Sequence, residues 1–131
     1  MTAASTTANN DVIDYVKAQH LTTRELFTKT LDAVDLQERQ QHFSALRAAL
    51  TAQEVTEELL VHPRVRRGRV VESLRGEADD TKEQLDQMAQ LDPASPEFET
   101  ALSDLRQATE DHTQRVEVEE LPLLRPADHC R

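Results

Sequence analysis

This sequence predicts an all-α fold, an up-down-up-down antiparallel four-helix bundle, and three observations predict it. The 131 residues include only two Gly, three Phe, one Tyr and no Trp, while Ala, Leu, Gln, Glu and Arg are plentiful. That is poor material for strand pairing and good material for helices. Apolar residues recur at steps of three and four in four separate stretches, the period of a helix with one buried face. Short links rich in Pro or Gly separate the stretches, so consecutive helices must run antiparallel. Leu, Ile, Val and Phe number 30 of 131. The core is therefore thin, and narrow stripes on long helices are the arrangement that uses it efficiently.

Each helix can be placed in turn. Residues 1–10 are small and polar and read as a disordered tail. Asn10 or Asp11 caps the first helix, whose stripe is Ile13, Val16, His20, Thr23, Phe27, Leu31 and Val34. The second stripe is Phe43, Leu46, Leu50, Gln53, Glu57 and Leu60, stopping near Pro63. A basic connection, Pro63 to Arg69, divides the chain into halves. The third stripe is Val71, Leu74, Ala78, Thr81, Leu85, Met88 and Leu91. Asp92-Pro93-Ala94-Ser95-Pro96 then breaks the chain, with Ser95 as N-cap and Pro96 at the first helical position. The last stripe is Phe98, Leu102, Leu105, Thr109, His112, Val116, Glu119 and Leu123, ended by Pro122 and Pro126. The bundle spans 11–125, and 126–131 form a C-terminal tail. Helices of roughly 20 to 28 residues are about 30 to 42 Å long.

Charge and motif content exclude several functions. With 15 Lys+Arg against 25 Asp+Glu the net charge is −10, a field that repels a phosphate backbone, so nucleic acid is not an expected partner. No apolar run approaches the roughly 20 residues of a membrane span, and the N-terminus has no signal-peptide pattern, so a cytoplasmic chain is expected. Gly68 and Gly76 are the only glycines, which excludes the glycine-rich phosphate loops. The single cysteine, Cys130, lies in the tail and reads as an incidental thiol. No Ser or Cys stands beside a base and an orienting group at recognisable spacing. Arg64, Arg66, Arg67 and Arg69 read as a solvated loop able to meet an acidic partner. His42 and His129 fall outside the stripes, and Glu117, Glu119 and Glu120 read as an exposed face with Glu119 nearest the stripe.

His20, Gln53, Glu57 and His112 lie inside their stripes, at positions that can meet at one level of the bundle. A buried ionised carboxylate such as Glu57 costs several kcal/mol without a partner, so that level must supply compensation. The two halves also correspond. At an offset of 59, Gln53 to Glu58 followed by Pro63 pairs with His112 to Glu117 followed by Pro122. At 58, His20 pairs with Ala78. The chain reads as a duplicated helical hairpin.

Four phrases carry a family resemblance: Asp11-Val12-Ile13 with Gln19-His20; Glu57-Glu58 before His62-Pro63; Leu91-Asp92-Pro93 with Pro96-Glu97-Phe98; and Asp111-His112 through Glu119-Glu120-Leu121-Pro122. In these the sequence resembles the bacterial hemerythrin-like family with the HHE cation-binding domain, from Asp11 to Arg125. The resemblance implies a four-helix bundle holding two irons through histidines and bridging carboxylates, and a role with dioxygen, nitric oxide, peroxide or iron itself. Position by position it implies His20 as the first-helix metal ligand, Glu57 as the bridging carboxylate and His112 as the first ligand of the last helix. Gln53 and Ala78 stand where the family has histidines, Val116 where it has a carboxylate, and His62 where it often has tyrosine. A carboxylate spaced one residue later would be Glu117.

Each ligand type thus survives once across the half-repeat: His20 against Ala78, His112 against Gln53, Glu57 against Val116. Two histidines and one carboxylate make up a mononuclear iron(II) facial site, which Glu117, Glu119 or a water can complete. A two-metal centre with irregular ligands is a second arrangement. A third is a metal-free hydrogen-bonded cluster of the same residues, in a monomeric or weakly associating bundle that binds a protein partner or a small ligand. Ala78 and Val116 leave either a small cavity there or room for a guest molecule, unless neighbouring side chains fill it.

Overall fold

The computed structural model describes residues 2–65 and 68–124, with residues 2–9 described by their backbone alone. It is an antiparallel bundle of four long helical segments, with no strand among the described residues. The first segment is α1 (Thr2–Asp32). The second is α2 (Leu36–Thr56), a π turn (Glu57–Val61) and the short α3 (His62–Val65). The third is α4 (Gly68–Met88). The fourth is α5 (Pro96–Arg115), a second π turn (Val116–Glu120) and a 3₁₀ turn (Leu121–Leu124). No helix among the described residues is long and apolar enough to cross a membrane. The expected tail at 126–131, with His129 and Cys130, lies outside the described residues, as do Arg66 and Arg67.

The first helix begins earlier than its expected cap. Residues 2–10 have helical backbone as the start of α1: Ala3, Ala4 and Ala8 favour helix, and neither Pro nor Gly interrupts the run. At its other end α1 stops at Asp32, so Val34 is left in the link and fully exposed. Asp35 caps α2 by accepting from the Gln37 amide, and Ser95 caps α5 by accepting from the Phe98 amide. Arg39 holds this end of the bundle together. It donates to the Thr30, Leu31 and Pro93 carbonyls, the first two being orphaned carbonyls of the last turn of α1.

The π turns occupy equivalent places in the two halves, each ending just before a proline, at Pro63 and Pro122. In each, an amide reaches five residues back: His62 N–H to the Glu57 carbonyl, Leu121 N–H to the Val116 carbonyl. Inserting one residue into the turn lets the chain absorb a proline ring that would otherwise clash with the carbonyl four residues earlier. The insertion also moves every later side chain around the helix by one position. Leu60, Glu119 and Leu123, expected in the stripes, are only partly buried or exposed, whereas Val61, Glu120 and Leu124 are inside.

The apolar core is two clusters, not one. One contains Ile13, Val16, Val61, Leu74, Val116 and Leu121 at the π-turn end, the other Phe27, Leu46, Leu85, Phe98, Leu102 and Leu105 at the Arg39 end. Phe43 meets Phe98 edge to face at 5.1 Å. Between the clusters lies a polar layer. The shifted register has a direct test: Leu124→Ala, removing a side chain 3% exposed, will cost about 2 kcal/mol or more in urea unfolding, and Leu123→Ala, at 40% exposure, under about 0.5 kcal/mol. Equal losses would place the stripe in the unshifted register.

Candidate metal centre in the bundle core

The polar layer draws on every long segment. α1 supplies His20 and Thr23, α2 supplies Gln53, the first π turn supplies Glu57, α4 supplies Glu77, and α5 supplies Thr109 and His112. His20 is 0%, Glu57 2% and His112 8% exposed. Burial is the result of helical spacing, which places each of these positions on the same face as its apolar neighbours.

His112 is gripped on both ring nitrogens. Nε2 stands 2.9 Å from Glu57 Oε1 and Nδ1 stands 2.8 Å from Glu77 Oε1. Ionised carboxylates only accept, so in this arrangement both ring nitrogens carry protons. Burial pushes the His112 pKa down, and the Glu57 and Glu77 carboxylates push it up by more, leaving it above the ordinary imidazole value. His20 is held on one side only: Nδ1–H donates to Glu117 Oε2 at 2.6 Å, and Nε2 is buried without a partner. Glu57 Oε2 and Thr109 Oγ1 are likewise buried and unpartnered. Gln53 does not face these groups with a free amide oxygen, because Oε1 accepts from Thr23 Oγ1 at 3.0 Å.

Four sequence expectations change here. Glu117 approaches His20 from behind, on Nδ1, and so orients the ring instead of joining it as a fellow ligand. Glu119 turns away to pair with Arg115, at 2.9 Å. Glu120, read as exposed, is completely buried and accepts from His62 Nδ1 at 2.5 Å, so a third histidine meets a carboxylate, here between α3 and the second π turn. His42, expected in solvent, is half-buried. Glu77 was missed altogether. It sits one residue off the third stripe, and the signal for it was Arg115, which pairs with Glu77 and is three residues beyond His112.

Whether these donors fit iron depends on how many irons are asked for. Ala78 and Val116 offer no donor, and Gln53 is engaged, so two irons do not fit. Among the described residues no three His, Cys, Asp or Glu side chains are gathered to hold one ion, so His20 does not join the Glu57–His112 pair at a single point. That pair fits one ion. Two ligands about 2.1 Å from a metal and at right angles are about 3 Å apart, the separation of Nε2 and Oε1 here. Each histidine also has the carboxylate on its second nitrogen that orients a metal-bound imidazole. Beside the pair, Gln53, Ala78, Thr109 and His112 line a cavity of about 20 Å³. It has room for an ion or a water and is too small for a guest molecule, so of the outcomes expected at Ala78 the small cavity is the one present.

Comparison with known proteins places this geometry. The hemerythrin HHE cation binding domain matches residues 11–124. A protein of Nostoc sp. named DNA nickase is 29% identical over 126 residues, covering 89% of this chain and 34% of that protein. The chain therefore spans about one third of that relative's length. No solved structure matches the chain.

The carboxylate grip on His112 makes the stability of the metal-free protein depend on pH. With its folded pKa raised above the unfolded value, His112 contributes stability that is complete below about pH 6.5 and is lost as the pH rises through the folded pKa. The melting-temperature gap between the wild type and His112→Gln, both metal-free, will be widest near pH 6 and will narrow toward pH 9. A gap that widens with pH would mean that His112 is buried neutral.

Proposed function

Because the chain belongs to the hemerythrin HHE cation-binding domain family, we propose that it is a hemerythrin-like protein holding one non-haem iron at Glu57 and His112. His20 presents its free Nε2 toward the same polar layer. The observation that carries this reading is Glu57 Oε2, a carboxylate oxygen buried in the polar layer without a partner, with His20 Nε2 and Thr109 Oγ1 also buried and unpartnered there. Buried polar atoms are nearly always satisfied, and a cation at Glu57 would satisfy the free carboxylate oxygen, leaving His20 Nε2 to accept from a water held in the same layer. Bound there, iron would supply open coordination positions for dioxygen, nitric oxide or peroxide. The protein's own part is to orient both imidazoles through Glu77 and Glu117 and to exclude bulk water with the two apolar clusters. We read the chain itself as not holding nucleic acid, given its net charge of −10.

A second reading is favoured by the His112 clasp: with a proton in place of the ion, the layer is already held together, and the bundle then acts by binding a protein partner. Metal content separates the two. Anaerobic loading with iron(II) and desalting will leave about one iron per chain in the wild type, with substantially less in Glu57→Gln and His112→Ala. Removal by a chelator will lower the melting temperature of the wild type, since a ligand at a hundredfold excess over its Kd stabilises by about 2.7 kcal/mol. Zero iron and an unchanged melting temperature would select the metal-free reading. Ala78→His, which adds a donor to the same cavity, will tighten iron(II) binding by about tenfold or more.

A further inference from the structure

The face between α2 and α4 is the open side of the polar layer. A cleft of about 280 Å³ runs inward there from the surface. Its walls include Glu54 and Glu58 from one side, Arg75 and Asp79 from the other, with Ala78 and Glu57 at its floor. The small cavity beside His112 shares Glu54, Glu57 and Ala78 with this cleft, so the two adjoin at those residues.

Charge is distributed unevenly along this route. Glu54, Glu57, Glu58 and Asp79 bring four carboxylates to the cleft, against Arg75, which is bound to Glu58 at 2.5 Å, and His62, which is bound to Glu120. Lys82 also acts on Glu54. Partial burial raises the pKa of Glu54, and the nearby Asp79, Glu57 and Glu58 carboxylates raise it further against the opposing effect of Lys82. Independent of that charge, one polar side chain on the cleft floor is both deeply buried and incompletely paired. Glu57 is 2% exposed, and its Oε2 has no partner.

We propose that the α2–α4 cleft is the uptake and release path of a divalent cation, with Glu54 and Asp79 drawing the ion in toward Glu57 Oε2 and the Arg75–Glu58 pair bridging the mouth. The proposal rests on the one-cation reading above and adds the route. Carboxylates lining a cleft with low-dielectric walls raise the local cation concentration and the association rate, in a manner that salt screens. Arg75, on α4, and Glu58, on the first π turn, must part for a hydrated ion to pass, and at 48% and 38% exposure they exchange readily with water.

The test is the rate of iron(II) transfer from the intact protein to an excess of a chromophoric chelator, and the rate of anaerobic iron(II) uptake, with final stoichiometry measured by elemental analysis. Glu54→Gln with Asp79→Asn will slow uptake about tenfold at low ionic strength, a difference that 0.5 M salt removes, with about one iron still bound at saturation. Glu25→Gln with Asp104→Asn removes the same charge from exposed positions outside the cleft and will leave uptake unchanged. Arg75→Gln will speed uptake and release together. One iron bound at equal rates in all four proteins would overturn the path and leave the one-cation reading standing. No iron bound by the wild type would overturn both.

Discussion

A carboxylate sealed inside a thin apolar core has to be met by positive charge or by an ion, and Glu57 imposes that condition on the whole bundle. Left alone, it would cost several kcal/mol, a large part of the stability of a domain this size. The compensation comes from a different helix, through His112, and His112 is itself held by a carboxylate from a third, Glu77. The fourth joins through His20 on Glu117 and Thr23 on Gln53. The relative positions of all four long segments are thus tied to one polar layer. The two apolar clusters above and below it supply the burial that keeps water from dissolving those bonds.

The backbone preserves the duplication better than the chemistry does. Both halves keep a π turn followed by a proline, at an offset of 59 residues. Yet Glu57 opens one π turn and Val116 opens the other, so the same geometry presents an ionisable group in one half and an apolar one in the other. The candidate ligand types are thus divided between the halves. The His62–Glu120 pair joins α3, just past the first π turn, to the second π turn, each partner at least nine-tenths buried.

The four sides of the bundle are not alike. Arg39 staples the end where α1, α2 and the Pro93 link meet, and Arg24 crosses from α1 to Glu110 on α5. The α2–α4 side has clefts along it, lined by Glu54, Thr81, Lys82 and Asp86 as well as by Glu57, Glu58, Arg75 and Asp79. Ala78 lies on this side and lines both the cleft and the small cavity beside His112.

Much of this protein was determined by local sequence. Helical periodicity, the Ser95 and Asp35 caps and the proline links specify four antiparallel helices, because each is a property of residues within one turn of each other. The same periodicity placed His20, Glu57 and His112 inside, and all three are buried. What needed the tertiary structure was everything past a π turn and everything between helices. An inserted residue rotates the rest of a helix without leaving a mark on hydrophobic period, so Glu120 and Leu124 come inside where Glu119 and Leu123 were expected. Glu77 and Glu117 lie just off their stripes, and only the approach of a neighbouring helix turns such flanking carboxylates onto buried histidines. Which ring nitrogen each flanking carboxylate takes is decided the same way, by a pairing across 35 residues for His112 and Glu77 and 97 for His20 and Glu117. That contact depends on how the helices pack, a global property that the local pattern does not carry.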